Sequence, residues 1–370
     1  MFGRGRSRDA PSSVDLAVTV GPVALPNPVV TASGTYGHGD EVARLGDAAA
    51  IGAITAKSLS ADPWAGKPAP RLHTTASGML NAVGLQGPGV EAWLRDDLPA
   101  LRAAGARVIV SIWGTSVDDF ARAAAMLRDA ESFARDGLLA LEVNVSCPNL
   151  HPHAHSSGHH NARADATDTA RAGGEIFAHD PAMTEAAVRA VVDVDLGLPV
   201  FAKLSPNVTH LDVIAGAALR GGASGLTLVN TVRGLLIDAA ARRPTLGAGT
   251  NGGGLSGAAI KPIALRAVFD VARAHPGVPI IGTGGVSTGV DAIEMLLAGA
   301  SAVGVGTATF ADPRACLRIL DELVDWCAAR GITRVADLTG ALETGALETG
   351  ALDTGALDAK PSEEKEGDRP

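Results

Sequence analysis

Eight short apolar runs punctuate the chain, at residues 29–33, 51–57, 107–113, 139–145, 199–205, 225–230, 278–282 and 301–306. Most are apolar throughout instead of alternating with polar residues, which is the pattern of parallel strands covered by helices on both faces. Between them, stretches of helical periodicity fall at 90–104, 117–135, 183–196, 211–220, 261–274 and 290–298. Strand, helix, strand, repeated eight times, predicts one α/β domain folded as a (β/α)8 TIM barrel; an open, doubly wound sheet is the competing arrangement. A barrel gathers its functional residues just after the strands, where the loops form the mouth. Here the strand ends read Ala32-Ser33-Gly34, Lys57-Ser58, Ser111-Ile112-Trp113-Gly114, Asn144-Val145-Ser146-Cys147, Lys203-Leu204-Ser205-Pro206-Asn207, Asn230-Thr231, Gly284-Gly285 and Gly306-Thr307. So many polar residues at strand ends are hard to explain as packing.

The barrel pattern occupies residues 14–335 of the 370, which is long for a domain but ordinary for a fold of this kind. Residues 1–13, rich in Arg, Gly and Ser, read as a disordered tail. A second, acidic tail at 336–370 repeats Thr-Gly-Ala-Leu-acid four times, from Thr339 to Asp358. One Gly per repeat costs about 1 kcal/mol of helix stability relative to Ala, so disorder is expected there too. A formal charge of −9 argues against a nucleic-acid binder. No apolar run has the length of a membrane span, and the start lacks a secretory signal, so the cytoplasm is the expected compartment. The three cysteines, Cys147, Cys316 and Cys327, are too few and too scattered for a disulfide framework or a zinc site. Cys316 and Cys327 sit in a helix-like segment as small core residues.

Candidate chemistry concentrates at the mouth. Glycines close the last two strands at Gly284-Gly285 and Gly306, and backbone without Cβ there suits a phosphate-bearing cofactor. Lys57 and Lys203 end otherwise apolar strands, so each ammonium is expected to face an anion, with an ordinary ion pair as the plainer alternative. A flavin ring would supply one, since its N1 and C2 carbonyl edge gains negative charge on reduction. Asn81, Asn144, Asn149, Asn207 and Asn230 offer donors and acceptors suited to a planar polar substrate. With no histidine or carboxylate among the strand ends as a strong base, Cys147 is the best candidate to move a proton.

These segments resemble class 1 dihydroorotate dehydrogenases, FMN enzymes that oxidise dihydroorotate to orotate in pyrimidine synthesis. The resemblance rests on residues 75–86 (TASGMLNAVGLQ), 144–149 (NVSCPN), 203–208 (KLSPNV) and 253–257 (GGLSG). A cysteine at 147 points to class 1, and Asn81-Ala82-Val83-Gly84-Leu85-Gln86 is closer to the NAD-linked class 1B than to the fumarate-linked class 1A. The resemblance implies that Cys147 takes the C5 proton while the C6 hydride goes to FMN. It places Lys57, Asn81, Ala82, Val83, Gly84, Leu85, Asn144, Asn230 and Thr231 around the substrate. It assigns FMN to Ser33, Lys57, Ser58, Ser111, Asn144, Lys203, Val229, Gly257, Gly284, Gly285, Gly306 and Thr307.

Two features depart from the family pattern. Ser111 stands where the family usually has an asparagine that contacts FMN. The family's short loop after the catalytic cysteine is extended here by about residues 151–173, which carry His151, His153, His155, His159 and His160. A metal reading of those histidines lacks a partner carboxylate or cysteine at a structural spacing, so no metal is assigned; the insertion is expected to be mobile and, if it lies over the mouth, part of a lid. Too few cysteines remain for an iron–sulfur cluster, and no Gly-x-Gly-x-x-Gly turn opens a helix. The resemblance therefore implies a separate electron-transfer subunit with FAD and a [2Fe-2S] cluster, passing electrons to NAD+, and a homodimer of catalytic chains within a heterotetramer. A fumarate-using homodimer and a reductive enzyme of the dihydropyrimidine dehydrogenase type are the alternatives.

Overall fold

In a computed structural model, which describes residues 14–130, 137–146, 177–246 and 252–344, the eight apolar runs lie side by side as parallel strands. They are Val29–Thr31 (β1), Ile54–Thr55 (β2), Val108–Ile112 (β3), Leu138–Asn144 (β4), Val200–Leu204 (β5), Gly225–Leu228 (β6), Ile280–Thr283 (β7) and Ala302–Val305 (β8). Each is paired with its neighbour in sequence, and β1 also pairs with β8. The ring closes where Gly52 N–H donates to Val29 O (2.8 Å) and Thr31 N–H to Ala53 O (3.1 Å). Closure of the first strand onto both the second and the last excludes the open sheet and gives the (β/α)8 barrel. Strands β3, β5, β6, β7 and β8 are buried at every position, the physical origin of their unbroken apolar sequence.

Helices pack outside the ring. The first, α1, runs through Val90–Ala92, Trp93–Asp97 and Leu98–Ala103, its middle piece π-helical. It is followed by Val117–Asp129 (α2), Pro181–Val192 (α3), Leu211–Arg220 (α4), Lys261–Ala274 (α5), Gly289–Ala298 (α6) and Ala315–Ala329 (α7). Local chemistry starts several of them. Ser116 and Asp119 form a capping box on α2, and Thr288 and Asp291 another on α6. Asp180 caps α3 by accepting from Ala182 N and Met183 N, with Pro181 at the first helical position. Cys316 and Cys327 are buried in α7, and burial pushes the Cys316 thiol up to about 12.

The first crossover has no α-helix. Between β1 and β2 the chain makes only the short 3-10 turns Ala43–Leu45 and Ala48–Ala50. Its opening stretch carries Gly34, Gly37 and Gly39, and Gly34 and Gly37 have φ of 91° and 87°, a poor start for a helix. At the opposite end of the barrel from the mouth, the hairpin Val18–Val20 with Val23–Leu25 turns at Gly21, against Ser224 and Pro279, which lead into β6 and β7. Beyond residue 335 the described chain stays packed on the barrel. The 3-10 turn Val335–Leu338 is followed by Gly340 N–H donating to Leu296 O (2.9 Å) and Leu342 N–H to Leu297 O (3.2 Å), so packing against α6 extends into the first repeat.

Two segments of the chain add a second layer over the mouth. Leu72–Thr75, Gly78–Asn81, Gly253–Ser256 and Val232–Gly234 form a four-stranded antiparallel sheet. None of the four has the length or apolar run that marks the barrel strands.

Candidate functional site

The strand ends and the small sheet enclose a cavity of about 480 Å³. Ser33, Lys57, Ser58, Asn144, Lys203, Val229, Asn230, Thr231, Gly284, Gly285, Gly306 and Thr307 line it from the barrel, while Asn81, Val83, Gly84, Leu85 and Gly257 line it from the cap and its loops. Two residues expected in the site stand behind its wall. Ala82 is fully buried beside Leu80 and Leu246 under the cap sheet. Ser111 is fully buried beneath the floor, where its hydroxyl meets Ser58 Oγ at 2.9 Å and donates to Glu142 Oε1 at 2.9 Å. Cys147, Asn149 and the histidine-rich insertion lie outside the described residues.

The floor is a directed hydrogen-bond network. Asn144 Nδ2 donates to Ser58 Oγ (3.0 Å). Asn144 Oδ1 accepts from Ser146 Oγ (3.1 Å), Ser146 N–H (3.3 Å) and Asn230 Nδ2 (3.4 Å). Asn230 Nδ2 also reaches Ser146 Oγ (2.9 Å), and its Oδ1 accepts from Thr231 N–H (2.8 Å). Ser146, the chain neighbour of Cys147, is thus tied to two residues that line the cavity. Asn207 plays a supporting part: its Nδ2 donates to Thr231 O (3.1 Å) and its Oδ1 accepts from Arg233 N–H (2.8 Å), holding the loop after β6.

Charge in the site is one-sided. Lys203 is 4 % exposed, donates to Ser33 Oγ at 2.8 Å, and forms an ion pair with no carboxylate among the described residues. A buried ammonium without a counter-ion is expensive, and an anion in the cavity would compensate it. The Lys57 side chain runs along Gly34, where an added Cβ would stand 3.0 Å from Nζ. At the neighbouring ends of β7 and β8, Gly284 and Gly285 adopt φ of 129° and 79°, conformations that L side chains rarely enter, and this places bare backbone beside Gly306 and Thr307. Thr283 Oγ1 is buried on the same wall with no hydrogen-bond partner among the described residues. These features fit a ligand with a phosphate at the glycine end and an electron-poor polar ring over the lysines and asparagines, which is the chemistry of FMN.

Sequence reasoning reached the cap through Asn81, Val83, Gly84, Leu85 and Gly257 but missed Leu72, Thr74, Gly78, Met79 and Ser256 among its walls, and it missed Phe310 at the rim. Ser256 Oγ accepts from Thr307 Oγ1 at 2.7 Å, so the cap is fastened directly to the end of β8. The usable signal was the glycine density around these positions: Gly78 has no room for a Cβ against Ser256 O. Leu85, a non-glycine residue at φ 58°, is a further local sign of a shaped site.

A family model described as dihydroorotate dehydrogenase matches residues 15–326. The dihydroorotate dehydrogenase B (NAD(+)), catalytic subunit, of Desulforudis audaxviator is 45 % identical over 328 residues, 89 % of this chain and 97 % of that one. The protein of the same name from Geobacter sulfurreducens is 43 % identical over 329 residues, 89 % of this chain and 98 % of its own. A Solibacter usitatus protein, provisionally named dihydroorotate dehydrogenase A (fumarate), is 44 % identical over 328 residues, with 89 % and 98 % covered.

Proposed function

The chain belongs to the dihydroorotate dehydrogenase family, and from that premise we propose that it oxidises (S)-dihydroorotate to orotate, with Cys147 as the base and NAD+ as the final acceptor. The observation that supports this most is the convergence of Lys57, Asn81, Asn144, Lys203, Asn230, Thr231 and the glycines of β7 and β8 on one cavity. Residues from as far apart in the chain as Ser33 and Thr307 share its lining, and each of those named is of a type the reaction can use.

Loss of hydrogen from the C5–C6 bond divides into a proton and a hydride. When bound, FMN supplies the two-electron acceptor for the hydride. Ser33, Lys57, Ser58, Asn144, Lys203, Val229, Gly257, Gly284, Gly285, Gly306 and Thr307 would hold it, with Ser111 acting from beneath the floor. Asn81, Asn144, Asn230 and Thr231 present carboxamide and hydroxyl groups to the substrate's ring carbonyls, N–H groups and carboxylate, and Val83, Gly84 and Leu85 shape its pocket with Ala82 packed behind them. Lys57 and Lys203 bring positive charge to a site where negative charge develops. Cys147 takes the C5 proton as a thiolate. A thiol with an ordinary pKa near 8.5 is mostly protonated at neutral pH, so the reductive half-reaction accelerates as pH rises toward that value.

The electrons then leave through a separate subunit, as the words "B (NAD(+)), catalytic subunit" in the names of the Desulforudis, Alkaliphilus and Geobacter proteins support; FAD and a [2Fe-2S] cluster on that subunit are what the resemblance implies. The 44 % identical Solibacter protein favours a second reading, with fumarate as acceptor and no such subunit. A homodimer of this chain in the cytoplasm is compatible with either. No helix among the described residues is long and apolar enough to cross a membrane.

Anaerobic addition of dihydroorotate to the purified chain tests the proposal. Bleaching of the visible flavin band, slowed at least a hundredfold in Cys147→Ala on the scale of a lost general base, is the expected result. An FMN-loaded protein that dihydroorotate leaves oxidised would refute the assignment. Turnover with fumarate by the isolated chain would replace NAD+ as the acceptor.

A further inference from the structure

Beneath the cavity floor, three side chains form a relay that ends on a carboxylate the proposed reaction does not use. Asn144 Nδ2 donates to Ser58 Oγ at 3.0 Å, Ser58 Oγ and Ser111 Oγ are 2.9 Å apart, and Ser111 Oγ donates to Glu142 Oε1 at 2.9 Å. Ser58, Ser111 and Glu142 are 1 %, 0 % and 2 % exposed, so solvent does not compete along the chain. A carboxylate only accepts, whereas each hydroxyl has one proton to give. The Ser111 proton is therefore committed to Glu142, which leaves Ser111 to accept from Ser58. The Ser58 proton is committed in turn, and Ser58 can meet both Asn144 and the cavity only as an acceptor.

We propose that Glu142 is a positioning residue that sets the direction of this relay, fixing Ser58 as a hydrogen-bond acceptor toward the flavin and holding a negative charge beneath it. The inference rests on the reading that FMN occupies the cavity. Glutamine at 142 can donate through its amide to Ser111, which lets Ser111 donate to Ser58 and releases the Ser58 proton toward the cavity. Glu142→Gln thus removes a negative charge and adds a donor next to a ring that becomes more negative on reduction. Both changes favour the reduced cofactor. Ser111→Ala frees the Ser58 proton while leaving the charge in place, so it acts in the same direction and less strongly.

The test is the two-electron midpoint potential of the bound flavin, measured by spectroelectrochemistry on the FMN-loaded chain, on Glu142→Gln, on Ser111→Ala and on the double variant. Glu142→Gln is expected to raise the potential by roughly 30 mV, equivalent to a tenfold change in relative affinity for reduced over oxidised FMN. Ser111→Ala should give a smaller rise, and the double variant a rise short of the sum, because both single changes release the same proton. A residue that only filled space would change stability and leave the potential alone. An unchanged potential in Glu142→Gln, or strictly additive shifts, overturns the proposal. If Glu142→Gln does not fold, Ser111→Ala decides, and no rise there overturns it as well. A wild-type chain that retains no FMN refutes the cofactor reading and this inference together, whereas loaded wild type with unshifted variants refutes this inference alone.

Discussion

Replacing Asp291 by Asn should produce a stability loss with a distinctive dependence on pH. Asp291 is the N3 residue of α6 and is 7 % exposed. Its Oδ2 accepts from Ser287 N–H (2.9 Å), Ser287 Oγ (2.9 Å) and Thr288 N–H (2.8 Å), and its Oδ1 meets Lys261 Nζ at 2.7 Å. Burial pushes the carboxyl up, but the Lys261 ammonium and the Ser287 and Thr288 donors outweigh it and leave the pKa lowered to about 2. Against an unfolded value of 3.8, the difference corresponds to about 2.4 kcal/mol before screening, and the part-exposed Lys261 side chain reduces that to about 1–2 kcal/mol. Because the folded pKa is depressed, this stability is present above the unfolded pKa and is lost as pH falls through the folded one. Linkage then predicts nearly the full amount from pH 7 down to about 4.5, roughly half at about pH 3, and little at about pH 2. Urea titrations of wild type and Asp291→Asn at matched pH give the difference directly. A difference that does not change with pH would mean that the carboxyl titrates as an ordinary carboxylate and that the loss comes from loop packing alone.

Three further outcomes follow from the same structure. Asp97 has its carboxyl raised to about 6, by burial first and then by the charges of Glu41, Asp96 and Asp40; the linked stability is present below pH 3.8 and lost as pH rises through 6, so Asp97→Asn should raise stability by about 1 kcal/mol at pH 8, after discounting for exposure, and by only about a fifth of that at pH 4, measured by urea midpoint. Lys203→Met should weaken FMN binding at least tenfold in a flavin-fluorescence titration, yet stabilise the flavin-free protein by about 1 kcal/mol or more, since it removes a buried charge; a less stable flavin-free variant would mean that the ammonium is already satisfied. Phe120, fully buried on α2 with its ring edge-on to Phe177 at a centroid distance of 5.4 Å, should cost about 3–5 kcal/mol on truncation to Ala in the same urea assay, and a cost under about 1 kcal/mol would mean that neighbouring side chains collapse into the space.

The barrel was legible because its signal is physical and local: strands buried on both faces cannot hide an apolar run, and α4 and α5 match the helical periodicity at both ends, Leu211–Arg220 and Lys261–Ala274. The barrel side of the site was legible for a related reason, since a polar residue that ends such a run has few places to point except the mouth. Ser111 shows where that rule stops. It sits inside β3, not after it, so its side chain falls a layer below the cavity, and Glu142 on β4 falls at the same depth for the same cause. The cap was not legible, because antiparallel strands of three or four residues rich in Gly, such as Gly253–Ser256, carry too little periodicity to separate from a loop. Ala82 was assigned to the site by its place in a motif, yet it follows directly on the strand Gly78–Asn81 and packs with Leu80, on the side away from Asn81, as continued alternation of the extended chain requires.

The arrangement of charge inside the barrel explains why two ionisable residues stay buried there apart. Asn144 on β4 is the register partner of Lys203 on β5, and Glu142 lies two residues below Asn144 on the same face of its strand. Were Glu142 and Lys203 bonded to each other, both burial costs would fall, but the ammonium would be occupied and the cavity would lose its fixed positive charge. No ion pair joins them among the described residues. Glu142 is held instead by Ser111, and Lys203 is held by Ser33 on the far side of the mouth. The protein keeps the two charges in separate layers, carboxylate below and ammonium above, with Asn144 between them. That separation costs stability in the empty barrel and orients the site toward a ligand that can accept from Lys203, which is the balance a flavin would complete.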